Sequence, residues 1–354
     1  MKSGRIIQLD GIRFIAVFMI FIAHWGQKEL TNPILLEIPF VHGVTLFFVL
    51  SGFLITRSLF INGDKGNSIL KIIKVFYLRR FLRIFPIYYL LLFILFIINY
   101  EMTRELIWWL ATYTTNIYQS ITNLDIKHLN HLWSLGVEEQ FYIFWPFVIL
   151  LTKPSFRFLI ICFTIVFSLI IKAYLFLYVG KWMATAYFTL SCMYALGLGA
   201  LLSYIILYKK ELLDWLSSPK WIYIGLFIYL ILILLRINSN FPWFKEIFDE
   251  FIFAFISMLI ILRASNNNFS FLFKKILENR FVVYLGKISY GLYLYHLLVP
   301  SLYSFLALKL NFEIEYKPLL FPIYFIITFM LSHLSWIYIE KPINKLKNKE
   351  FLKY

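Results

Sequence analysis

A histidine and two adjacent glutamates stand within long apolar stretches of this sequence. His24 lies near the end of the first stretch, and Glu138 and Glu139 lie in the first turns of a later one. A histidine beside a carboxylate commonly accepts a proton from a hydroxyl, because the carboxylate orients the imidazole and stabilises its charged form. Neighbouring helical positions differ by about 100°, so at most one of the two glutamates faces a common site directly. The structural alternative is a hydrogen-bonded imidazole and two acids that stabilise a helix N-terminus.

Four arginines at the ends of apolar stretches are candidates for binding phosphate. Arg80 and Arg83 share one face of a predicted helix, and guanidinium groups bind phosphate oxygens more specifically than ammonium groups do. Arg13 lies on the same predicted helix face as His24, about 16 Å away. Arg57 adds a cation at the same predicted depth as the pair. The alternatives are snorkelling of Arg13 to lipid headgroups and a positive-inside signal from the pair.

Four further polar residues in apolar stretches are weaker candidates for supporting the substrate: His131, Ser134, Tyr295 and His296. Ionisable groups inside a membrane are costly and usually face a cavity or a partner. For Tyr290 and Tyr293 of the same stretch as Tyr295, aromatic packing between helices explains the residues at least as well as hydrogen bonding to a ligand. The histidines and glutamates show no local spacing typical of metal ligands, so we expect no metal.

The composition places these residues in a membrane protein. Of 354 residues, 61% are hydrophobic, 21% aromatic and 15% charged, and the mean hydropathy is +0.77. This apolar surface exceeds what one water-soluble core of this length could bury. The formal net charge of +15 is spread between the apolar stretches and forms no basic face, so it does not indicate nucleic-acid binding. The two cysteines are too few for a disulfide framework or a thiolate zinc site.

Apolar stretches long enough to cross a bilayer predict about ten transmembrane helices, at residues 12–25, 41–60, 80–98, 133–152, 158–179, 183–208, 221–237, 243–262, 281–308 and 318–339. With the N-terminus inside, the inner segments carry 22 Lys and Arg residues and the outer loops carry 8. This asymmetry favours ten spans with both termini cytoplasmic. We therefore expect an all-α polytopic protein with a single transmembrane domain over residues 1–354 and no extramembrane domain.

Several separated motifs of this sequence occur in a characteristic order. They are residues 9–16 with His24, residues 47–53, the pair Arg80 and Arg83 before Pro86, residues 133–142, and residues 289–296. In this order they resemble the acyltransferase-3 family of membrane proteins. The resemblance extends from residue 9 to about residue 342, so it covers nearly the whole chain.

The resemblance implies an integral membrane enzyme that transfers an acyl group, usually acetyl, from cytoplasmic acyl-coenzyme A to a hydroxyl of a cell-surface or exported glycan. The implied location is a bacterial cytoplasmic membrane. Larger members carry a secreted SGNH-hydrolase-like domain, and we expect no counterpart of it after the last span of this sequence. The motifs of the family match six of the candidate residues: Arg13, His24, Arg80, Arg83, Glu138 and Glu139.

The residues and the resemblance agree on one mechanism. The four arginines hold the phosphates of coenzyme A, and His24, oriented by Glu138 or Glu139, deprotonates the acceptor hydroxyl as it attacks the thioester. Transient acylation of His24 is a second route that the sequence leaves open. A transporter with His24, Glu138 and His296 as a proton relay is the alternative from another class, although the sequence shows no internal repeat. A non-catalytic membrane subunit would leave the histidine and the carboxylates at similar depth unexplained.

Overall fold

The computed structural model describes residues 6–26, 40–238, 244–311, 314 and 317–348, and these residues form helices and connecting turns without a strand. The predicted all-α class is therefore confirmed. The helical runs are α1 (Ile7–Gly26), α2 (Phe40–Asp64), α3 (Ile69–Ile97), α4 (Ile107–Ala111), α5 (Thr115–Thr122), α6 (Lys127–Leu151), α7 (Pro154–Val179), α8 (Trp182–Tyr208), α9 (Lys210–Leu216), α10 (Lys220–Asn238), α11 (Glu250–Ser265), α12 (Phe271–Leu277), α13 (Arg280–Lys287), α14 (Ser289–Tyr295), α15 (Leu298–Leu310) and α16 (Leu320–Lys345).

Seven of these runs are long and apolar enough to cross a membrane, namely α1, α2, α3, α6, α7, α8 and α16. Two further pairs of helices, α9 with α10 and α14 with α15, are long and apolar enough to cross a membrane only when each pair is taken as one span. The two helices of a pair are bent relative to each other by 56° in the first pair and 49° in the second. The described residues thus supply up to nine spans, compared with the predicted ten. The predicted eighth span overlaps α11, which is helical but carries Glu250 and Arg263 within 16 residues. The orientation of the termini stays a prediction, and residues 1–5, which entered the charge comparison, lie outside the described residues.

The predicted ninth span, residues 281–308, is divided by a bend between α14 and α15. The carbonyl of Tyr293 accepts a hydrogen bond from Nδ1 of His296 at 2.5 Å, and the carbonyl of Leu294 accepts one from Nε2 of His131 at 3.1 Å. Pro300 has no N–H to donate to the carbonyl one turn before it. Side chains and a proline thus interrupt the backbone hydrogen bonds that a continuous helix would need.

The chain forms two compact units, and each unit takes up several separate segments. The first unit contains Met1–Arg57, Lys153–Ala186 and Leu190–Ser289. The second unit contains Ser58–Thr152, Tyr187–Thr189 and Tyr290–Tyr354. Helices α1, α7 and α9 to α13 therefore belong to the first unit, and helices α3 to α6, α15 and α16 belong to the second. The expectation of a single transmembrane domain stays a prediction.

In the first unit, α2 and α8 approach each other so closely that their glycines have no space for a side chain. A Cβ atom added at Gly52 would lie 1.9 Å from the carbonyl oxygen of Leu196, and one added at Gly199 would lie 2.0 Å from that of Val49. Small residues allow such close backbone contact between membrane helices. The sequence Ser51-Gly52 predicts a packing contact, and the structure confirms it.

Glycines also position α1, the helix that carries two of the candidate site residues. A Cβ atom at Gly11 would lie 2.5 Å from the carbonyl oxygen of Leu277, at the end of α12. One at Gly286, on α13, would lie 1.8 Å from the carbonyl oxygen of Asp10. The first turns of α1 are therefore packed backbone to backbone against α12 and α13, and this contact sets the position of the helix within the first unit.

We expect Gly199→Ala to destabilise the protein, because its methyl group would overlap the backbone of α2. Overpacking of this kind typically costs about 1–3 kcal/mol. Thermal unfolding of the detergent-solubilised protein should then show a lower midpoint. Gly63→Ala, at the far end of α2, is the matched control, since the nearest heavy atom to its Cβ would be 3.7 Å away. This control should keep or raise the midpoint, because alanine is a better helix former than glycine. Identical midpoints for both variants and the parent would contradict the close crossing.

Candidate active site

One face of α6 carries polar residues along most of its length in the second unit. His131, Ser134, Glu138 and Tyr142 follow one another at intervals of three or four residues, which places them on one side of the helix. Lipid tails offer no hydrogen bonds, so such a face is stable only against polar partners inside the protein or in a cavity. Three of these four residues are predicted site residues, whereas Tyr142 is a further member that the sequence analysis did not single out.

Near the start of α6, two imidazoles and a tyrosine form a buried cluster. The rings of His131 and His296 have centroids 4.9 Å apart, and both side chains are buried. The hydroxyl of Tyr293 lies 2.5 Å from Oγ of Ser134 and donates to the carbonyl of His131 at 2.9 Å. The structure thus brings three of the four weaker candidates together. Among the residues that it describes, no group of three or more His, Cys, Asp or Glu side chains could hold a metal ion.

The two glutamates of α6 have different surroundings. Glu138 is half-buried, and its carboxylate accepts a hydrogen bond from the hydroxyl of Tyr142 at 3.0 Å. Glu139 is buried, with 7% of its surface exposed, and it lies close enough to Arg80 for their charges to interact. The guanidinium of Arg80 also lies over the Tyr142 ring, 4.8 Å from its centroid. Both carboxylates are thereby linked to Arg80, one through its charge and the other through the tyrosine.

The paired arginines of α3 lie near the C-terminal end of α16. Arg83 interacts electrostatically with Glu340, a buried carboxylate that accepts a hydrogen bond from Oγ of Ser335 at 3.0 Å. Tyr295 hydrogen-bonds to the same serine. The structure therefore separates Tyr295 from the imidazole cluster, although it follows Tyr293 by only two residues. Positions two residues apart on an α-helix differ by about 200°, so Tyr293 and Tyr295 point to nearly opposite sides of α14.

Lys347 joins this arginine pair, and the sequence analysis missed it. Burial and the nearby charges of Arg83, Arg80 and Arg79 lower the pKa of Lys347 to about 7. In the sequence it belongs to a short lysine-rich segment after Pro342, which is typical of the positive-inside pattern. Nothing in that pattern distinguishes a buried lysine from its exposed neighbours, so only the fold could identify it.

Arg13, Arg57 and His24 belong to the first unit. The guanidinium of Arg13 forms an ion pair with the buried carboxylate of Asp10, with 2.5 Å between Nη1 and Oδ1. The sequence analysis missed this partner, which lies one turn earlier on the same helix and balances the charge proposed for phosphate binding. Arg57 is half-buried on α2. The pairing of His24 with Glu138 or Glu139 stays a prediction.

His24 lies in a local distortion of α1. The regular helix ends at Phe21, and residues Ile22–Gly26 form a π-helical turn around His24. The predicted alignment of His24 with Arg13 assumes a regular α-helix, so over this last turn it stays a prediction. Such turns are frequent at functional sites, because the extra residue redirects a side chain.

The first unit also buries a charged cluster that the sequence analysis missed. Nζ of Lys172 lies 2.7 Å from Oε2 of Glu250, and the hydroxyl of Tyr194 donates to the same oxygen at 2.8 Å. Nε2 of His42 lies 3.4 Å from Oδ2 of Asp249. Residues from α7, α8 and α11 meet in the first of these contacts. A buried charge that lost its partner would be strongly destabilising, so the cluster constrains how these helices pack.

Comparisons with known proteins identify relatives of this chain. A family model described as an acyltransferase domain matches residues 6–338. A protein of Staphylococcus aureus (strain COL), provisionally named as an O-acetyltransferase, is 29% identical over 97% of this chain and 58% of its own length. The O-acetyltransferase OatA of Staphylococcus aureus (strain NCTC 8325 / PS 47) is 27% identical over the same shares. This chain thus spans 58% of the length of these curated relatives. No solved structure matches it significantly.

The matched residues take in every candidate position inferred from the sequence. They include the π turn of α1, the polar face of α6, the arginines of α3 and the bend after α14, whereas Glu340 and Lys347 lie beyond the match. A family match over nearly the whole chain is sufficient for assignment. The chain belongs to the acyltransferase-3 family.

Proposed function

We propose that this protein is a membrane O-acyltransferase that moves an acetyl group from acetyl-coenzyme A to a hydroxyl of a cell-surface or exported glycan. Family membership and the O-acetyltransferase names of its relatives support this function over the transporter alternative. The observation that carries the proposal is the series of polar contacts in the second unit. It comprises the imidazoles of His131 and His296 near the start of α6, the contacts of Tyr142 with Glu138 and Arg80 further along the same helix, and the basic residues near the end of α16.

The basic residues of α3 are suited to the donor. Coenzyme A carries phosphate groups, and Arg80 and Arg83 each present a planar group that can donate two parallel hydrogen bonds to phosphate oxygens. The nearby carboxylates of Glu139 and Glu340 limit the repulsion between the arginines while no anion is bound. With the phosphates held there, we expect the pantetheine arm to extend along the polar face of α6. We further propose that the protein lies in a bacterial cytoplasmic membrane, with the arginines of α3 on the cytoplasmic side.

In the proposed reaction, the acceptor oxygen attacks the thioester carbon, and the bond between that carbon and sulfur breaks. His24 takes the hydroxyl proton, and the proton finally resides on the coenzyme A thiol, so no further reactant is needed. A glutamate of α6 orients the imidazole in this scheme. In the alternative route, His24 itself attacks the thioester carbon, and the acyl group then passes from the imidazole to the acceptor oxygen. This route uses the same residues and gives the same products.

Replacing His24 with alanine should abolish transfer in either version of the chemistry. We expect labelled acetyl transfer from acetyl-coenzyme A to envelope glycan to fall by at least about a hundredfold, the lower limit for loss of a general base. The measurement compares membranes with equal amounts of correctly inserted protein. His333→Ala, which removes an imidazole of α16 outside the candidate site, is the matched control and should retain transfer. Near-normal transfer by His24→Ala would exclude both versions.

The two glutamates of α6 should respond differently to conversion to glutamine. Glu138→Gln keeps an oxygen that can accept the hydrogen bond of Tyr142, whereas Glu139→Gln removes the buried carboxyl group that interacts with Arg80. We therefore expect Glu139→Gln to lower transfer about a hundredfold and Glu138→Gln to lower it by a smaller factor.

The comparison of the glutamates needs a measurement of folding as well as activity. Thermal unfolding in detergent separates loss of chemistry from loss of structure. A variant that is inactive because it is destabilised has a lower unfolding midpoint than the parent, whereas a variant that lacks only a catalytic group keeps the midpoint of the parent. If Glu138→Gln were the more damaging variant at an unchanged midpoint, the half-buried glutamate would be the one that acts with His24.

A further inference from the structure

Lys347 occupies an unusual position for a lysine at the end of a membrane helix. It lies in the turn Leu346–Asn348, just after α16, and this turn packs against α3. Its ammonium group is half-buried and donates to Oδ1 of Asn344, whereas Lys345, two residues earlier, is exposed. Lysine side chains at such positions normally extend into water. Lys347 is instead directed back towards the arginines of α3.

The charges around Lys347 are mostly of its own sign. From α3, Arg79, Arg80 and Arg83 oppose its positive charge, and from α16 only the carboxylate of Glu340 favours it. That carboxylate also interacts with Arg83 and accepts the hydrogen bond of a serine. A half-buried ammonium among three guanidinium groups is unfavourable on its own, and a bound anion would reverse this balance.

We propose that Lys347 is a further cation of the donor phosphate site, beside Arg80 and Arg83, and that it takes up a proton when the anionic donor binds. The inference rests on the proposed function, because it takes the anion to be a phosphate group of acyl-coenzyme A. It concerns a residue outside the part of the chain that matches the family model, which ends at residue 338.

The direction of the pH dependence follows from the surroundings of Lys347. Burial and the neighbouring arginines lower the pKa of Lys347 to about 7 in the free protein, so the amine gains and loses its proton near neutral pH. A phosphate beside the amine favours the ammonium form and raises its pKa, so binding draws a proton from solution. The affinity for coenzyme A should therefore decrease as the pH rises through about 7. An arginine at this position stays charged over the whole range, so its affinity should not decrease in this way.

The experiment measures binding of coenzyme A to the purified full chain in nanodiscs by calorimetry at pH 6.5 and 8.5. We expect Lys347→Met to weaken binding about tenfold at pH 6.5, as for loss of one charge-assisted hydrogen bond, and much less at pH 8.5. Lys345→Met is the matched control and should bind like the parent at both pH values. Lys347→Arg should bind tightly at both.

Proton uptake provides a readout that a structural role for Lys347 would not affect. In buffers with different ionisation enthalpies, coenzyme A binding to the parent at pH 7 should take up more protons than binding to Lys347→Arg. Equal affinities of parent and Lys347→Met at both pH values would overturn the inference. The same pH dependence and proton uptake in parent and Lys347→Arg would overturn it as well, because the titrating group would then lie elsewhere.

Inorganic pyrophosphate as a second probe separates this inference from the proposed function. If the protein bound pyrophosphate in a Lys347-dependent way but neither bound coenzyme A nor transferred acetyl, the anion site would stand and the proposed donor would fail. If acetyl transfer occurred and Lys347→Met left the KM for acetyl-coenzyme A unchanged, the function would stand and the role of Lys347 would fail. If the parent protein bound neither coenzyme A nor pyrophosphate, the inference would be overturned.

Discussion

A bilayer offers no hydrogen bonds to side chains, so each ionisable group inside it needs a partner from the protein. This constraint accounts for most of the polar contacts in both units. Arg13 has Asp10, Lys172 has Glu250, and the imidazole of His131 has a backbone carbonyl. The contacts of Lys172 with Glu250 and of His131 with the carbonyl of Leu294 join different helices, so a shift of one helix would leave a charge or a donor without its partner. Glycines at other helix contacts allow the backbones to approach closely.

The helical class and most helix positions follow from the sequence, because length and hydropathy alone decide whether a segment can cross a membrane. The number of spans is less predictable, since it depends on interactions that are not local. The interval 281–308 is long and mostly apolar, yet it bends where His296, Pro300 and, from far away in the chain, His131 interrupt its backbone hydrogen bonds. The π turn around His24 likewise cannot be predicted from residue spacing on a regular helix, although it affects the direction of the imidazole.

The site residues show the same division between local and distant information. Residues recognisable by type and spacing on one helix, such as Glu138 and Glu139 or Arg80 and Arg83, were predictable from the sequence. Their different burial was not, because it depends on which neighbouring helix covers each one. Lys347 and Glu340 are distant from α3 in sequence, and only tertiary structure shows that they face its arginines. Asp10 could have been found from its spacing of three residues before Arg13.

The bend after α14 also determines the tautomers of the two buried imidazoles. A carbonyl can only accept, so Nε2 of His131 and Nδ1 of His296 must each carry a hydrogen. In the neutral rings, the remaining nitrogens, Nδ1 of His131 and Nε2 of His296, are then acceptors. The backbone thus selects opposite tautomers for two histidines in contact. As neutral rings, the two imidazoles can each act only as hydrogen-bond acceptors through these second nitrogens.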